Sequence, residues 1–373
     1  MKAQVKSRGL SSREKSVADS TVQLRESRVF QRLALRGHEQ LSLSHDPETG
    51  YRGIIAIHDT TLGPALGGTR FWAYKNDAEA IEDVLRLARG MTYKSAVAGL
   101  KLGGGKSVLI GDHRTDEREG LFRSHGRHVE WLNGRYITAE DVGTSTADME
   151  FVRMETKHVV GLARGSGDPS PVTAFGTFRG IQACAKYRYG DESLKGKTVA
   201  VQGCGHVGYH LCKHLHEDGA KLVVTDIDPE KVKAVVEEFG AQVVGTAEIM
   251  SVAADIFAPC ALGSVINDES IDQLKVDIVA GAANNQLAQE RHGDALEERG
   301  IVYAPDYVIN SGGLINVSAE LEGWEPQKAR DKASDIFDTV FRILEMAKQD
   351  GIPSYKAADH LAEQRIAEGK RNS

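Results

Sequence analysis

The sequence predicts an α/β protein with two domains, and three observations support that fold class. From Thr198 onward, short apolar strands alternate with helical segments, a pattern typical of βαβ units around a mostly parallel sheet. The segment 161–171 is rich in glycine and proline and predicts a connection between domains. A chain of 373 residues is long enough for two domains of ordinary size.

The N-terminal half alternates predicted strands and helices. The β-branched, apolar run Gly53–His58 predicts a strand, and the glycines and proline of Thr60–Thr69 predict an irregular segment after it. Asn76–Arg89 carries apolar residues at helical spacing, with Asp77 as its N-cap. The further elements predicted here are a strand at Ser107–Ile110, a helix at Leu121–Asn133 and a strand at Tyr136–Thr138.

Helical patterns flank the βαβ region of the second half. Val172–Tyr189 predicts a helix before the first unit, and the tail from Pro326 to Gly369 predicts helices with a break at Gly351–Pro353. The strands predicted between them are TVAVQG, KLVVTD, AQVVG, DIFAPC, VDIVAGAA and IVYAP.

Composition and net charge limit which molecules the protein is expected to bind and in which compartment it is expected to lie. The net charge is −7, so we do not expect nucleic-acid binding, although a local site for a small anionic or zwitterionic substrate remains compatible. Four cysteines without a C-x-x-C pair predict reduced thiols in a cytoplasmic protein, and no apolar stretch is long enough to span a bilayer. Residues 1–27 are polar and rich in Ser, Lys and Arg, which predicts a disordered extension and leaves a transit peptide as the alternative.

The most specific single motif is the turn in TVAVQGCGHVG, residues 198–208. Gly203, Gly205 and Gly208 form G-x-G-x-x-G between an apolar strand and a predicted helix, and the next strand ends on Asp226. In such turns the first glycine allows the bend, the second admits a pyrophosphate and the third lets the helix pack on the strand. Asp226 can accept hydrogen bonds from ribose hydroxyls and would repel a 2′-phosphate. We therefore expect a Rossmann-type domain that binds NAD; a glycine turn without cofactor is the alternative.

Three histidines, His206, His210 and His214, lie four residues apart after this turn. That spacing can place imidazoles near one face of a helix, as in some metal sites. No carboxylate or thiolate is spaced to complete a ligand set, so we expect no metal there.

Two lysines lie in apolar, glycine-rich parts of the N-terminal half. Lys106 follows three glycines in GLKLGGGKS, and Lys94 lies twelve residues earlier in MTYKSA. The segment is not a P-loop, because five residues rather than four separate Gly99 from Gly105 and a strand is predicted after it. The glycines indicate backbone crowding near a ligand.

Close approach of the two lysines would change their chemistry. Burial and mutual repulsion both lower a lysine pKa, so one lysine can act as a neutral base while the other holds a carboxylate. Asp141, after the last predicted strand of this half, can supply a second proton-transfer group. Solvated surface lysines are the alternative.

Motifs along most of the chain resemble those of the glutamate/leucine/phenylalanine/valine dehydrogenase family. They extend from about Val29 to Gly369 and are IAIHDTTLGPALGGTRFW, DVLRLARGMTYKSAVAGLKLGGGKSV, LNGRYITAEDVGT, GDPSPVTAFG, APCALG, GAANNQL and APDYVINSGGLINV. The resemblance implies reversible, NAD-linked oxidative deamination of an L-amino acid to a 2-oxo acid and ammonia. It also implies a homo-oligomer, an octamer or a dimer.

The same resemblance implies a domain organisation. Residues 28–161 would form an α/β domain for substrate binding and oligomerisation, and residues 162–350 the Rossmann NAD-binding domain. The helix in 351–373 would return to the first domain. The active site would lie in the cleft between the domains.

The resemblance assigns roles to residues. Lys94 would bind the substrate carboxylate, Lys106 would activate water for attack on the imine, and Asp141 would carry protons to and from the amine. Thr173 would lie near the nicotinamide. The remaining substrate positions are Leu66, Gly67, Gly68, Met91, Ala139, Leu314 and Val317, and the remaining cofactor positions are Gly203, Gly205, His206, Val207, Gly208, Asp226, Ala261, Asn284 and Asn285.

Side-chain specificity follows from four of these positions. Glutamate-specific members carry a lysine at the position of Leu66 and a serine at that of Val317, so here a side-chain carboxylate would be buried without a partner. Ala139 matches leucine-type members, whereas Leu314 replaces an expected valine and reshapes the pocket. We expect leucine as substrate, with valine and isoleucine also accepted. The alternatives are a phenylalanine or other aromatic or aliphatic amino-acid dehydrogenase of the same family, and a non-catalytic regulator that binds NAD or an amino acid.

Overall fold

The structure, a computed structural model, describes residues 29–162 and 167–372. The extension predicted for residues 1–27 lies outside the described residues, as does part of the predicted inter-domain connection. The described chain forms two sheets packed with helices. None of its described helices is both long and apolar enough to cross a membrane.

The first sheet has five strands. In chain order these are β1 (Gln40–Asp46), β2 (Tyr51–Asp59), β3 (Ala65–Trp72), β4 (Gly103–Ile110) and β5 (Tyr136–Glu140). Their spatial order is β1-β2-β4-β3-β5; β1, β2 and β4 pair antiparallel, and β4, β3 and β5 pair parallel. The helices around this sheet are α1 (Val29–Arg36), α2 (Asp77–Val97), α3 (Glu119–Glu130) and α4 (Thr146–Arg153).

Helices cover both faces of the first sheet. Leu85 of α2 shares an apolar cluster with Val108 of β4, while Phe122 of α3 shares another with the next strand residue, Leu109. Successive strand residues point to opposite faces, so Val108 faces α2 and Leu109 faces α3. The interior strand β2 is buried along both faces, which explains the continuous apolar run in its sequence.

The second sheet is parallel and doubly wound. Its strands are β6 (Thr198–Gln202), β7 (Lys221–Thr225), β8 (Gln242–Val243), β9 (Ile256–Pro259), β10 (Ile278–Val279) and β11 (Val302–Tyr303). The spatial order is β8-β7-β6-β9-β10-β11, with every pair parallel. The order reverses direction between β6 and β9, and dinucleotides bind at such switch points. The predicted Rossmann-type domain is confirmed.

Nine further α-helices and two short 3-10 helices, Ile249–Ser251 and Ile271–Gln273, accompany the second sheet in the described chain. The α-helices are α5 (Ser170–Tyr189), α6 (His206–Glu217), α7 (Pro229–Phe239), α8 (Arg291–Glu298), α9 (Asp306–Ile309), α10 (Gly312–Glu322), α11 (Pro326–Ser334), α12 (Ile336–Asp350) and α13 (Ser354–Asn372). The predicted break in the tail is confirmed, because Gly351 has a φ of 64° and ends α12.

The last helix contacts the first domain. Tyr93 of α2 donates a 2.8 Å hydrogen bond to Glu363 of α13. Arg365 Nη1 donates to the carbonyl of Ala96 at 2.9 Å, near the end of α2. These contacts link α13 to the helix that carries Lys94.

Two local predictions were wrong. Thr60–Thr69 is irregular only at its start, because Ala65–Thr69 belongs to β3. Its glycines allow strand pairing at close approach: a Cβ on Gly67 would lie 1.7 Å from the carbonyl oxygen of Gly105. The cap of α2 is Asn76 rather than Asp77, since its side chain accepts a hydrogen bond from the N–H of Glu79.

Candidate active site

One face of the first sheet gathers most of the predicted substrate residues. Within β3, β4 and β5, alternate residues point to the same face. Gly68 pairs with Ala139, and Arg70 pairs with Val108. Because the Val108 side chain faces α2, its strand partner Arg70 lies on that same face of the sheet. Asp141 follows β5 on the same side. The strand residues that share this face are Leu66, Gly68, Arg70, Lys106 and Ala139.

The opposite face carries a buried network of hydroxyl groups. Thr69 Oγ1 lies 2.8 Å from Ser107 Oγ, 2.9 Å from His125 Nε2 and 2.5 Å from Thr138 Oγ1. Burial lowers the pKa of His125 to about 3, so its ring is neutral. The Tyr136 hydroxyl donates to the Gly67 carbonyl at 2.6 Å. Satisfied polar networks of this kind fix strands rigidly, here directly behind Lys106.

Lys106 and Asp141 form an ion pair at the end of this face. Lys106 is 5% exposed, and its Nζ lies 3.1 Å from Asp141 Oδ2. Burial lowers the pKa of Lys106 although Asp141 opposes the change. Burial raises the pKa of Asp141, but the charges of Lys106 and Arg70 outweigh it and the pKa falls. The pair therefore combines a carboxyl group and an amine that both have a pKa below the ordinary value.

Lys94 lies in the last turn of α2, on the side of the second domain. Its Nζ donates a 2.7 Å hydrogen bond to Asn310 Oδ1. Burial lowers the pKa of Lys94 to about 8, with the charge of Lys106 acting in the same direction and that of Asp306 opposing it. The interaction with Lys106 is the repulsion expected from the sequence.

The glycines before Lys106 are crowded by protein. The sequence predicted crowding near a ligand, but Gly103, Gly104 and Gly105 are the first residues of β4. A Cβ on Gly104 would lie 2.0 Å from the Thr92 nitrogen, and one on Gly105 would lie 2.7 Å from the Tyr136 ring. Glycine here lets α2 and β5 approach β4, which brings Lys94 and Asp141 toward Lys106.

The glycine turn between β6 and α6 fits a pyrophosphate. Gly203 has a φ of 101°, which favours glycine, and a Cβ on Gly208 would lie 2.0 Å from the Gly203 carbonyl oxygen. A Cβ on Gly205 would meet nothing within 4 Å. It would enter the open space at the start of α6, where helix N–H groups are free to bind phosphate.

Asp226 is fixed beside this turn. Its Oδ2 accepts a 2.7 Å hydrogen bond from the Cys204 N–H, and its Oδ1 accepts one of 2.8 Å from the Asp228 N–H. The carboxylate directly follows β7, the position from which ribose hydroxyls are recognised in Rossmann-type domains. Its geometry fits that role.

Other predicted cofactor residues lie at the start of α5 and in the loop after β10. Thr173 is in the first turn of α5, where its Oγ1 donates to the Pro169 carbonyl at 2.8 Å. Asn284 Oδ1 accepts a 2.7 Å hydrogen bond from Asn310 Nδ2. Asn285 has a φ of 50°, a conformation tolerated by asparagine, and its carbonyl accepts from the Ser264 N–H at 2.6 Å.

The first residues of α6 and the loop after β9 complete this set. Val207 is half-buried, and Ala261 is exposed beside Gly203. The His206 side chain is 81% exposed, with Nδ1 3.4 Å from Asp168 Oδ2. His214 contacts the ring of Phe175 instead of lying with His206. In the described part of the chain, no group of three His, Cys, Asp or Glu residues is arranged to hold a metal ion.

The apolar residues predicted to line the side-chain pocket share one cluster that extends across both domains. Leu66 and Leu314 are buried, and the other three are half-buried. A carboxylate placed between Leu66 and Val317 would lose water without gaining a partner from either side chain. The five residues are Leu66, Met91, Ala139, Leu314 and Val317.

Sequence comparison places this site in a known family. The Glu/Leu/Phe/Val dehydrogenase dimerisation domain matches residues 38–158, and the Glutamate/Leucine/Phenylalanine/Valine dehydrogenase domain matches residues 165–230 and 223–373. The chain belongs to the Glu/Leu/Phe/Val dehydrogenase family. It is therefore an amino-acid dehydrogenase, and dehydrogenases of this family act with a nicotinamide cofactor.

Relatives of known activity match most of the chain. A leucine dehydrogenase from Thermoactinomyces intermedius is 58% identical over 91% of this chain and 93% of its own length. A leucine dehydrogenase from Bacillus subtilis is 56% identical over 92% and 95%. The crystal structure of an L-tryptophan dehydrogenase from Nostoc punctiforme matches with a TM-score of 0.85 at 47% identity, covering 92% of this chain and 99% of that one.

Two residues of the candidate site, Arg70 and Asn310, were not predicted from the sequence. Arg70 contacts Asp141, and its Nη1 contacts Asp83 of α2 at 2.9 Å. Asn310 connects Lys94 with Asn284. Alternation along β3 could have revealed Arg70, because it lies two residues beyond Gly68 and four beyond Leu66 on the same face. No sequence spacing indicates Asn310, whose partners come from distant segments.

Proposed function

We propose that this chain is an NAD-dependent leucine dehydrogenase. It converts L-leucine, and also valine and isoleucine, reversibly to the 2-oxo acid, ammonia and NADH. The observation that carries the proposal is the convergence of Lys94, Lys106 and Asp141 beside the apolar cluster containing Leu66 and Val317. The 56–58% identity to leucine dehydrogenases supports the same substrate.

The substrate carboxylate pairs with Lys94. A cation is needed at this position, and the pKa of about 8 leaves Lys94 mostly protonated at neutral pH. Asn310 holds the ammonium from the side of the second domain. The amino acid is then oriented by its carboxylate, with its side chain directed into the apolar cluster.

Lys106 and Asp141 carry the protons. A bound nicotinamide cofactor would supply the acceptor for the hydride of the substrate Cα. The substrate ammonium must first lose a proton, and Asp141 takes it. Its Oδ1 can accept this proton, since Arg70 and Lys106 both contact Oδ2 and no described residue donates to Oδ1. Neutral Lys106 takes a proton from the water that attacks the imine carbon, and Asp141 returns its proton to the departing ammonia.

The turn at Gly203–Gly208 would hold the pyrophosphate and Asp226 the adenosine ribose. A fixed carboxylate at Asp226 favours two free hydroxyls over a 2′-phosphate, so NAD is preferred to NADP. His206, Val207, Ala261, Thr173, Asn284 and Asn285 would complete the cofactor site.

The assembly is a cytoplasmic homo-oligomer, a dimer or an octamer, built through residues 28–161. Large apolar side chains exposed on this part of the chain support the proposal, because such residues commonly mark subunit contacts. Residues 162–350 bind the cofactor, and the helix within 351–373 returns to the first domain through its contacts with α2. The exposed side chains include Phe30, Leu35, Leu43 and Trp131.

A substrate panel tests the activity. Steady-state rates are measured with leucine, valine, isoleucine, phenylalanine, tryptophan and glutamate, each with NAD and with NADP. The expected result is the highest kcat/KM with leucine and NAD, and negligible turnover of glutamate. A clear preference for phenylalanine or tryptophan would support the aromatic alternative, which the match to a tryptophan dehydrogenase keeps open. NADH binding without turnover of any amino acid would support a regulator.

A further inference from the structure

We propose that Arg70 is a positioning residue for this reaction: it holds one oxygen of Asp141 while Lys106 gains and loses its proton. The inference rests on the proposed function and assigns a role to a residue outside the predicted site. Arg70 lies on β3, two residues after Gly68, with its side chain on the face that carries Lys106.

The geometry shows one carboxylate oxygen shared by two cations. Asp141 Oδ2 lies 3.1 Å from Lys106 Nζ and 3.0 Å from Arg70 Nε. Both contacts use the same oxygen, which leaves Oδ1 for the substrate amine. Arg70 therefore fixes the rotation of the carboxylate independently of Lys106.

The chemistry explains why a second cation is needed. Lys106 must be neutral to accept a proton, and a neutral Lys106 no longer pairs with Asp141 as an ion. Without another cation, the half-buried carboxylate would then be left without an ionic partner, a costly state. A guanidinium remains protonated throughout the cycle, so Arg70 keeps Asp141 oriented while Lys106 is neutral, and keeps it ionised until it takes the proton of the substrate ammonium.

Arg70 is itself held by a second carboxylate. Its Nη1 donates to Asp83 Oδ2 at 2.9 Å, and the Tyr74 hydroxyl donates to the same oxygen at 2.8 Å. Arg86 donates to the other oxygen, Asp83 Oδ1, at 2.9 Å. The Arg70, Asp83 and Asp141 side chains are only 17–23% exposed. A planar guanidinium can serve two carboxylates in fixed directions, which a lysine cannot do.

The charges around Arg70 set the expected pH effect. The Arg70 cation acts to lower the pKa of both Asp141 and Lys106, while Asp83 acts to raise that of Lys106. Loss of the cation would therefore raise both pKa values, and each change moves the ascending limb of the deamination rate to higher pH. The other ionisable groups facing this point are Tyr74, Glu79, Glu82 and Arg86, which line an adjoining groove.

The pH profile of kcat/KM for leucine oxidation in Arg70→Gln tests the proposal. We expect kcat to fall about 10- to 100-fold, as for loss of a charged hydrogen bond, and the ascending limb to move by about one pH unit to the alkaline side. Arg86→Gln is the matched control, since Arg86 binds Asp83 without touching Asp141, and its profile should match the parent's. NADH binding and the near-ultraviolet circular dichroism spectrum confirm folding.

Two further variants keep the test decisive. Arg70→Lys keeps the charge but cannot bridge both carboxylates, so its kcat should lie between those of Arg70→Gln and the parent. In Arg70→Ala, non-denaturing guanidinium should restore activity and return the pH profile toward the parent's, relative to equal sodium chloride. A groove of about 490 Å³ beside Arg70 gives the added ion access.

The outcomes separate this proposal from the proposed function. An inactive parent enzyme would contradict the proposed function itself. The parent enzyme could instead be active and Arg70→Gln slower, but with an unshifted pH profile and with no guanidinium rescue of Arg70→Ala. That result would show that Arg70 only stabilises the fold. If Arg70→Gln does not fold, parent-like kcat and pH profile in Arg70→Lys would overturn the proposal.

Discussion

Lys94 Nζ lies 2.7 Å from Asn310 Oδ1, and this hydrogen bond joins the two domains at the active site. Asn310 Nδ2 continues the connection to Asn284 Oδ1 at 2.7 Å, on the cofactor side. The proposed carboxylate-binding lysine is therefore oriented by the second domain. The proposed substrate and cofactor positions are connected through the buried amide of Asn310.

The first prediction concerns that amide. Asn310→Ala removes the acceptor from Lys94 and the donor to Asn284, so we expect kcat/KM for leucine to fall about 10- to 100-fold, the usual effect of losing a hydrogen bond to a charged group. Steady-state kinetics measures the change. Gln327→Ala, which removes an amide from exposed helix surface, is the control. An unchanged kcat/KM in Asn310→Ala would show that the contact is not used in catalysis.

The second prediction concerns the pH dependence of substrate binding. With a pKa of about 8, Lys94 is a cation below pH 8 and loses its charge above it. The KM for the 2-oxo acid, which has no amine to titrate, should therefore be constant at lower pH and rise by up to about tenfold per pH unit above pH 8. Lys94→Arg stays charged and should lack this rise. A pH-independent KM in the parent enzyme would contradict the assignment.

The third prediction concerns Lys106, the proposed catalytic base. Lys106→Ala removes the base and leaves Asp141 paired with Arg70, so turnover should fall by at least about 100-fold. NADH binding, followed by fluorescence, should be unchanged because the glycine turn lies in the other domain. Parent-like turnover in this variant would refute the role of Lys106.

The fourth prediction separates two glycines of the same turn. Gly205→Ala adds a methyl group to open space, so the melting temperature should be unchanged while NADH binding weakens. Gly208→Ala would place a Cβ 2.0 Å from the Gly203 carbonyl oxygen, so it should lower the melting temperature. Thermal melts and NADH titrations distinguish the two. Unaltered NADH binding in Gly205→Ala would place the pyrophosphate elsewhere.

Much of the fold could be predicted because it is encoded locally. The strand–turn–helix around Gly203 and the alternation of strands and helices after it are short-range patterns, and the sheet order confirms the domain they indicated. Prediction was wrong where packing overrides local preference. Glycines that indicate a loop in isolation lie within β3 and β4, because those strands and α2 approach more closely than a Cβ would allow.

The sequence by itself determined the fold class, the glycine turn, and the residue types of the proposed site, Lys94, Lys106 and Asp141. Only the tertiary structure decided how these residues act on one another. Arg70 and Asn310 carry no motif of their own and become partners of Asp141 and Lys94 through strand register and domain packing. Their contributions depend on distance and burial, and these quantities exist only after distant segments have come together.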